Sequence, residues 1–207
     1  MVIILDTTEL FRDPHLSGPD WLLVATFLER VDAHLIVPEV VLDEAARHFE
    51  SKLTQALDAV SRAQGQIKKL VPDALLPLPA MDVPQLQGEY RQALEARLGQ
   101  MGAMIAPHSV ILLDTILQRS LTGRKPFGSH TDRGFRDAVL WESALRAIPE
   151  GTDQVLLISS NTSEFSDGRE LAGDLRDDLV VSGLAPESVH LCIDVRDLVE
   201  RFVQPLM

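Results

Sequence analysis

Two apolar patterns alternate along the chain. Val2-Ile3-Ile4-Leu5 is a short uninterrupted run; with no polar residue interleaved, it predicts a strand buried on both faces, as in a parallel sheet. It ends at Asp6-Thr7-Thr8. After a polar Pro14–Pro19 loop, Asp20 is placed to cap a helix in which Leu22, Leu23, Thr26, Phe27 and Val31 recur at helical spacing. His34–Val37 supplies a second strand. Pro38 suits a first helical turn, where no backbone donor is needed, and Glu39–Leu57 continues with helix formers toward an outer limit at Leu70.

Pro72, Pro77, Pro79 and Pro84 then break the helix, in a connector that stays rich in Leu. Helical patterns follow at about Gln85–Met104 and His108–Leu121, so residues from about 51 to 122 are expected to be all-helical. They are taken as an insertion packed on one end of the sheet within a single domain spanning 1–207; a separate helical domain is the alternative. A loop with Gly123, Pro126 and Gly128 leads into a helix at about Thr131–Ala147. Gln154–Ser159 is a third strand, Arg169–Val181 a helix, Val189–Ile193 a fourth strand and Asp194–Phe202 a closing helix. Strands alternating with crossover helices predict an α/β fold with three layers, α/β/α, and a mostly parallel central sheet.

The 45% hydrophobic and 24% charged residues are those of an ordinary globular chain and exclude collagen-like, disordered and coiled-coil classes. The longest apolar runs, Met1–Leu5 and Trp21–Ala25, hold five residues, far below the roughly 20 a membrane span needs. Asp6 interrupts the first run before a signal-peptide core could form, so a cytoplasmic location is expected. The single cysteine, Cys192, excludes an internal disulfide and a cysteine-cluster metal site, and its apolar strand context predicts a buried thiol. Any metal must be held by carboxylates.

The net charge of −12 argues against a nucleic-acid partner, but charge is unevenly placed. Residues 50–131 carry nine Lys/Arg against seven Asp/Glu, so the acidity belongs to the two ends. Between 124 and 136, Arg124, Lys125, Arg133 and Arg136 face Asp132 alone. Such a cluster is either a solvated surface or a set of phosphate contacts.

In open parallel sheets the functional crevice lies outside the carboxyl ends of the strands. Asp6 follows the first strand; Asn161 and Glu164 follow the third; Glu44 lies on the helix after the second; Asp137 opens the helix before the third. Each has a plainer explanation. Asp6 would cap the next turn, Glu44 shares its helix with Glu39, Asp43 and Glu50, and Asp137 would pair with Arg133 one turn earlier for about 0.3 kcal/mol.

Taken in order, Asp6, then Pro38-Glu39-Val40-Val41-Leu42-Asp43-Glu44, then Gly134-Phe135-Arg136-Asp137-Ala138-Val139-Leu140-Trp141, then Ile158-Ser159-Ser160-Asn161-Thr162-Ser163-Glu164-Phe165 resembles the PIN-domain ribonucleases over most of the chain. It is most similar to the larger bacterial PIN-like branch, in which a helical stretch separates the second and third acidic positions. An Arg/Lys-Pro-Phe element there precedes the third, here Arg124-Lys125-Pro126-Phe127. The resemblance implies metal-dependent cleavage of RNA or other single-stranded nucleic acid, with Asp6, Glu44 and Asp137 as ligands of Mg²⁺ or Mn²⁺. The fourth position falls on Asn161, where many members carry Asp, on Glu164, or on neither. Thr7 or Ser159 would orient water or a ligand carboxylate, and Arg124, Lys125, Arg133 and Arg136 would contact phosphates.

The chemistry suits these residue types, because carboxylate-held hard ions activate water and neutralise the charge of a five-coordinate phosphorus. Many relatives are toxins of toxin–antitoxin modules, so an antitoxin or other protein partner is an open expectation, as is a homodimer on base rate. The competing classes are a non-catalytic nucleic-acid or protein-binding module that keeps the fold, favoured by Asn161, and a phosphatase. Asp6-Thr7-Thr8 is similar to the start of haloacid dehalogenase-like phosphatases, with Thr8 where those carry a second Asp. No glycine-rich dinucleotide or phosphate loop is present. His48, His108 and His130 are taken as surface or capping residues, and Trp21 and Trp141 as core.

Overall fold

The computed structural model describes residues 1–71, 80–128, 134–168 and 170–207. Prolines 72, 77 and 79, the expected helix starts at 131 and 169, His130 and Arg133 lie outside them.

Five strands form one parallel sheet in the order β3-β2-β1-β4-β7: β1 Val2–Leu5, β2 His34–Pro38, β3 Met104–Ala106, β4 Val155–Ile158 and β7 Val189–Cys192. β1 lies at the centre, with Ile4 registered against Ile36 on one side and Leu157 on the other. Every residue of β1 and β4 is fully buried, which explains their unbroken apolar runs. Burying each such side chain stabilises the fold by about 1.5–3 kcal/mol. A small antiparallel hairpin, β5 Ser166–Asp167 with β6 Glu170–Leu171, stands apart from the sheet.

Helices cover both faces, completing the three-layer α/β/α arrangement expected of the sequence. Helix α1 (Thr7–Arg12) lies against α3 (Glu39–Leu70); α3 packs against α4 (Val83–Gln100) and α6 (Phe135–Ala147), and α6 contacts β2 and β3. Helix α2 (Pro19–Arg30) packs on α9 (Val195–Leu198) and the π-helical turn after it, and α9 contacts β4 and β7. Helices α5 (Leu113–Leu121), α7 (Thr162–Phe165) and α8 (Gly173–Val181) complete the set. Trp21 and Trp141 are core residues, and Cys192 is a buried thiol whose pKa burial pushes up to about 12. Among the described residues no helix is long and apolar enough to cross a membrane.

Several elements differ from the expectation. The stretch from 51 to 122 is not all-helical, because β3 lies within it and joins the sheet edge beside β2. β3 has only three residues, and Met104 and Ile105 are exposed, so no buried apolar run marks it. The helix expected to run to Met104 therefore ends at Gln100, and α5 begins at Leu113 rather than His108, after a short 3-10 turn. Asp20 sits in the first turn of α2, whose N-cap is Gly18. The helix placed at 169–181 begins at Gly173, since the β5–β6 hairpin occupies the preceding residues.

The chain runs outward from β1 to β2 and β3, then returns to build β4 and β7 on the other side. The direction reverses between β1 and β4, and this switch point is where open α/β sheets place their ligands.

Candidate active site

Asp6 and Ser159 follow β1 and β4 at that seam. The Asp6 backbone N–H bonds the Ile158 carbonyl at 3.1 Å, holding the two strand ends together. The carboxylate is almost wholly buried, at 4% exposure. One oxygen accepts the Thr7 backbone N–H at 2.6 Å, capping α1; the other accepts the hydroxyls of Ser159 at 2.6 Å and Thr8 at 3.1 Å. Capping and a place at the centre of the site thus coexist. Burial pushes the Asp6 pKa up, the donors from Ser159, Thr7 and Thr8 oppose the shift, and the charge of Glu44 adds to it.

Asp137 enters from the first turn of α6, whose N-cap is Gly134. Its carboxylate accepts the Asn161 side-chain amide at 3.2 Å. Its pKa is pushed up to about 6, first by burial and then by the charges of Asp6, Glu164 and Glu44, with the Asn161 hydrogen bond opposing. Asp6, Glu164 and Glu44, from three other chain segments, thus each act on Asp137 through charge. A surface carboxylate paired only with a neighbouring arginine would have its pKa lowered.

Glu44 reaches the site from the second turn of α3. One oxygen accepts the Thr7 hydroxyl at 2.9 Å; the other faces the Arg136 guanidinium, itself 65% exposed. Asn161 precedes α7, and its backbone N–H donates to the Ser159 hydroxyl at 3.0 Å. Ser163 bonds both Asn161 and Glu164. The two candidates for the fourth position thus differ in kind: Asn161 holds Asp137 by a hydrogen bond, whereas Glu164 acts on it through charge.

Among the described residues no three His, Cys, Asp or Glu side chains are grouped closely enough to hold one metal ion. The donor chemistry nevertheless fits a hard divalent cation, since Mg²⁺ commonly takes one or two carboxylates and keeps several waters. Burial and then the charges of Asp6, Glu164 and Glu44 raise the Asp137 pKa, and the repulsive part of that shift is what such a cation would relieve. The residues suit an open, partly hydrated site better than a closed cage.

The basic cluster divides. Among its described residues only Arg136 lies against the carboxylates. Arg124 donates to the Asp174 carbonyl at 3.0 Å and pairs with Asp178 at 3.2 Å. Lys125 donates its ammonium to the carbonyls of Ser163, at 2.9 Å, and Ser166, and pairs with Asp167 at 3.1 Å. These two cations bind the connection between α5 and α6 to α7 and α8, and Lys125 grips the segment that carries Glu164. Arg133 lies outside the described residues.

Sequence reasoning missed the support beneath this connection. Arg119, buried on α5, pairs with Glu142 at 2.9 Å and with Asp178; Asp178 also accepts the Trp141 indole N–H at 2.9 Å. Breaking one partner of a buried pair typically costs about 3–5 kcal/mol. Gly134 was also unmarked as a site residue. Its φ is +104°, and a Cβ there would strike the Pro126 carbonyl and lie 3.2 Å from the Phe127 Cα. Arg/Lys-Pro-Phe and the glycine before Asp137 thus form one packed unit.

Comparison with known proteins adds one match. A family model described as PIN domain covers residues 3–165, a span that contains Asp6, Glu44, Asp137, Asn161 and Glu164. No match was found among curated proteins or solved structures. With most of its length matched, and with a parallel sheet that brings these polar residues to one switch point, the chain belongs to the PIN-domain family.

Proposed function

We propose that this protein is a divalent-metal-dependent nuclease that hydrolyses phosphodiester bonds in RNA or other single-stranded nucleic acid. PIN domains are generally nucleases and typically use divalent metals. The observation that carries the proposal is the hydrogen-bonded linkage of three carboxylates from separate segments at the switch point: Thr7 binds both Asp6 and Glu44, Ser159 binds Asp6, and Asn161 binds both Ser159 and Asp137.

Asp6, Glu44 and Asp137 would serve Mg²⁺ or Mn²⁺, one or two of them in direct contact and the rest through its waters, and the ion would supply an activated water and neutralise charge on the phosphoryl oxygens. Ser159, Thr7 and Thr8 hold Asp6 in one orientation, and Thr7 does the same for Glu44. Asn161 fixes Asp137. Arg136 balances Glu44 in the free protein and stands where it can turn to a substrate phosphate.

The second reading is a PIN-like binding module without catalysis. It is favoured by the amide of Asn161 at a position where a further carboxylate would stand, and by the engagement of Glu44 by Arg136. The phosphatase alternative lacks its second acid, since Thr8 uses its hydroxyl to bind Asp6. Purified protein assayed with Mn²⁺ on labelled RNA and on a chromogenic phosphate ester separates the three. The nuclease reading expects RNA cleavage that stops with chelator and falls by about 10²-fold or more in Asp6→Asn and Asp137→Asn, the scale of one lost electrostatic partner. RNA binding without cleavage supports the module, and ester hydrolysis alone supports the phosphatase.

A further inference from the structure

Phe11 and His48 lie face to face, with ring centroids 3.9 Å apart and planes inclined by 25°. Each stands one helical turn beyond a residue of the acidic site: Phe11 follows Thr7 on α1, and His48 follows Glu44 on α3. The Thr7–Glu44 hydrogen bond at 2.9 Å and the Phe11–His48 stack show that the two helices run side by side in the same direction. One turn is about 5.4 Å, and stacked nucleotides rise about 3.4 Å each along a strand. The aromatic pair is therefore one or two nucleotides from the carboxylates.

This pair is open. Phe11 is 39% exposed. The adjacent stack of Phe49 on Tyr90, at 4.5 Å, is closed by contrast: Tyr90 is 5% exposed and its hydroxyl is held by the Pro14 carbonyl at 3.0 Å.

We propose that Phe11 and His48 form a nucleotide subsite, in which a base of single-stranded RNA stacks on Phe11. The inference rests on the nuclease proposal and deepens it by assigning side chains outside the carboxylate cluster to the binding of a base. An aromatic face accepts any base because every base has a π face, so the subsite selects unpaired strands without reading sequence. His48 backs the Phe11 ring and fixes its plane. The stack sets the register of the strand over the carboxylates.

The test uses Asp137→Asn in Mg²⁺, which separates binding from hydrolysis, and compares a labelled single-stranded oligoribonucleotide with an abasic ribose-phosphate chain of the same length. The base-bearing strand should bind on the order of tenfold more tightly, the scale of one base–aromatic stack. Adding Phe11→Ala or Phe11→Leu should remove most of that preference, whereas Phe11→Trp should keep it. Leu preserves apolar packing, so loss in both variants points to the π face rather than to misfolding. Equal affinity for the two chains, no measurable binding of either, or a preference that survives Phe11→Ala overturns the subsite. Cleavage of RNA by the wild type with Mn²⁺ is scored separately: cleavage without base preference removes the subsite and leaves the nuclease, and base preference without cleavage does the reverse.

Discussion

The side-chain amide of Asn161, after β4, donates to the carboxylate of Asp137, on α6, at 3.2 Å. The bond joins two segments that the sequence separates by more than twenty residues, and it opposes the burial and charge that raise the Asp137 pKa to about 6. Asn161→Ala should therefore move the Asp137 titration upward in metal-free protein. Carboxyl-carbon NMR against pH measures the midpoint. An unchanged midpoint removes Asn161 from its assigned role.

The same group gives the metal-free protein a pH dependence with a definite sign. Asp137 binds its proton more tightly in the folded state, about 6, than at its ordinary value of 3.8. The native state therefore holds more protons than the unfolded state between these values, and stability falls as pH rises through them. The penalty is absent well below 3.8 and fully present above about 6. Denaturant melts in chelator should show Asp137→Asn gaining on the wild type across this window. A constant difference from pH 4 to 7 counts against the raised pKa.

Gly134 couples the Arg/Lys-Pro-Phe element to the start of α6. Gly134→Ala combines a positive φ with a Cβ driven against the Pro126 carbonyl. The expected cost exceeds about 1 kcal/mol, since Ala strains where φ is positive, and Asp137 should shift with the helix start. Thermal unfolding and metal affinity measured together check this. A fully stable variant with unchanged Mn²⁺ affinity would mean the close approach is not needed.

The cations make separable contributions. Neutralising Arg136 should flatten the log–log salt dependence of single-stranded RNA binding by about 0.7. Lys125→Met should leave that slope alone and lower the melting temperature, because Lys125 is committed to Ser163, Ser166 and Asp167. Isotherms across a salt series decide between them; a slope change with Lys125→Met and none with Arg136→Ala would reverse the assignment.

These cations also show what a sequence conceals. Arg124, Lys125 and Arg136 look alike as a run of charge, and only folding reveals that Asp174, Asp178 and Asp167 engage the first two. β1, β2 and β4 were legible because buried parallel strands leave continuous apolar runs, and β7 because Val189, Leu191 and Cys192 stay apolar around the half-buried His190. β3 was not, because three half-exposed edge residues carry no such run. Helix α1 was unforeseen, six residues begun by the capping carboxylate of Asp6. In the site, position after a strand singled out Asp6, Asn161 and Glu164, and the ordered segments added Glu44 and Asp137. Arg119 and Asp178 were invisible, since a buried ion pair spanning α5 and α8 leaves no local pattern.

The central claim is that the carboxylates form a divalent-metal site, and it can be tested without knowing the substrate. A cation that binds only the folded state stabilises it by roughly 2.7 kcal/mol at 100 times its dissociation constant, several degrees in melting temperature for a chain of this size. Thermal melts of wild type and Asp137→Asn, in chelator and in millimolar Mn²⁺, provide the measurement. The account predicts that the variant melts no lower than the wild type in chelator, because it relieves repulsion, and that it loses most of the Mn²⁺ response. An equal Mn²⁺ response in the two proteins, or none in the wild type, would contradict it.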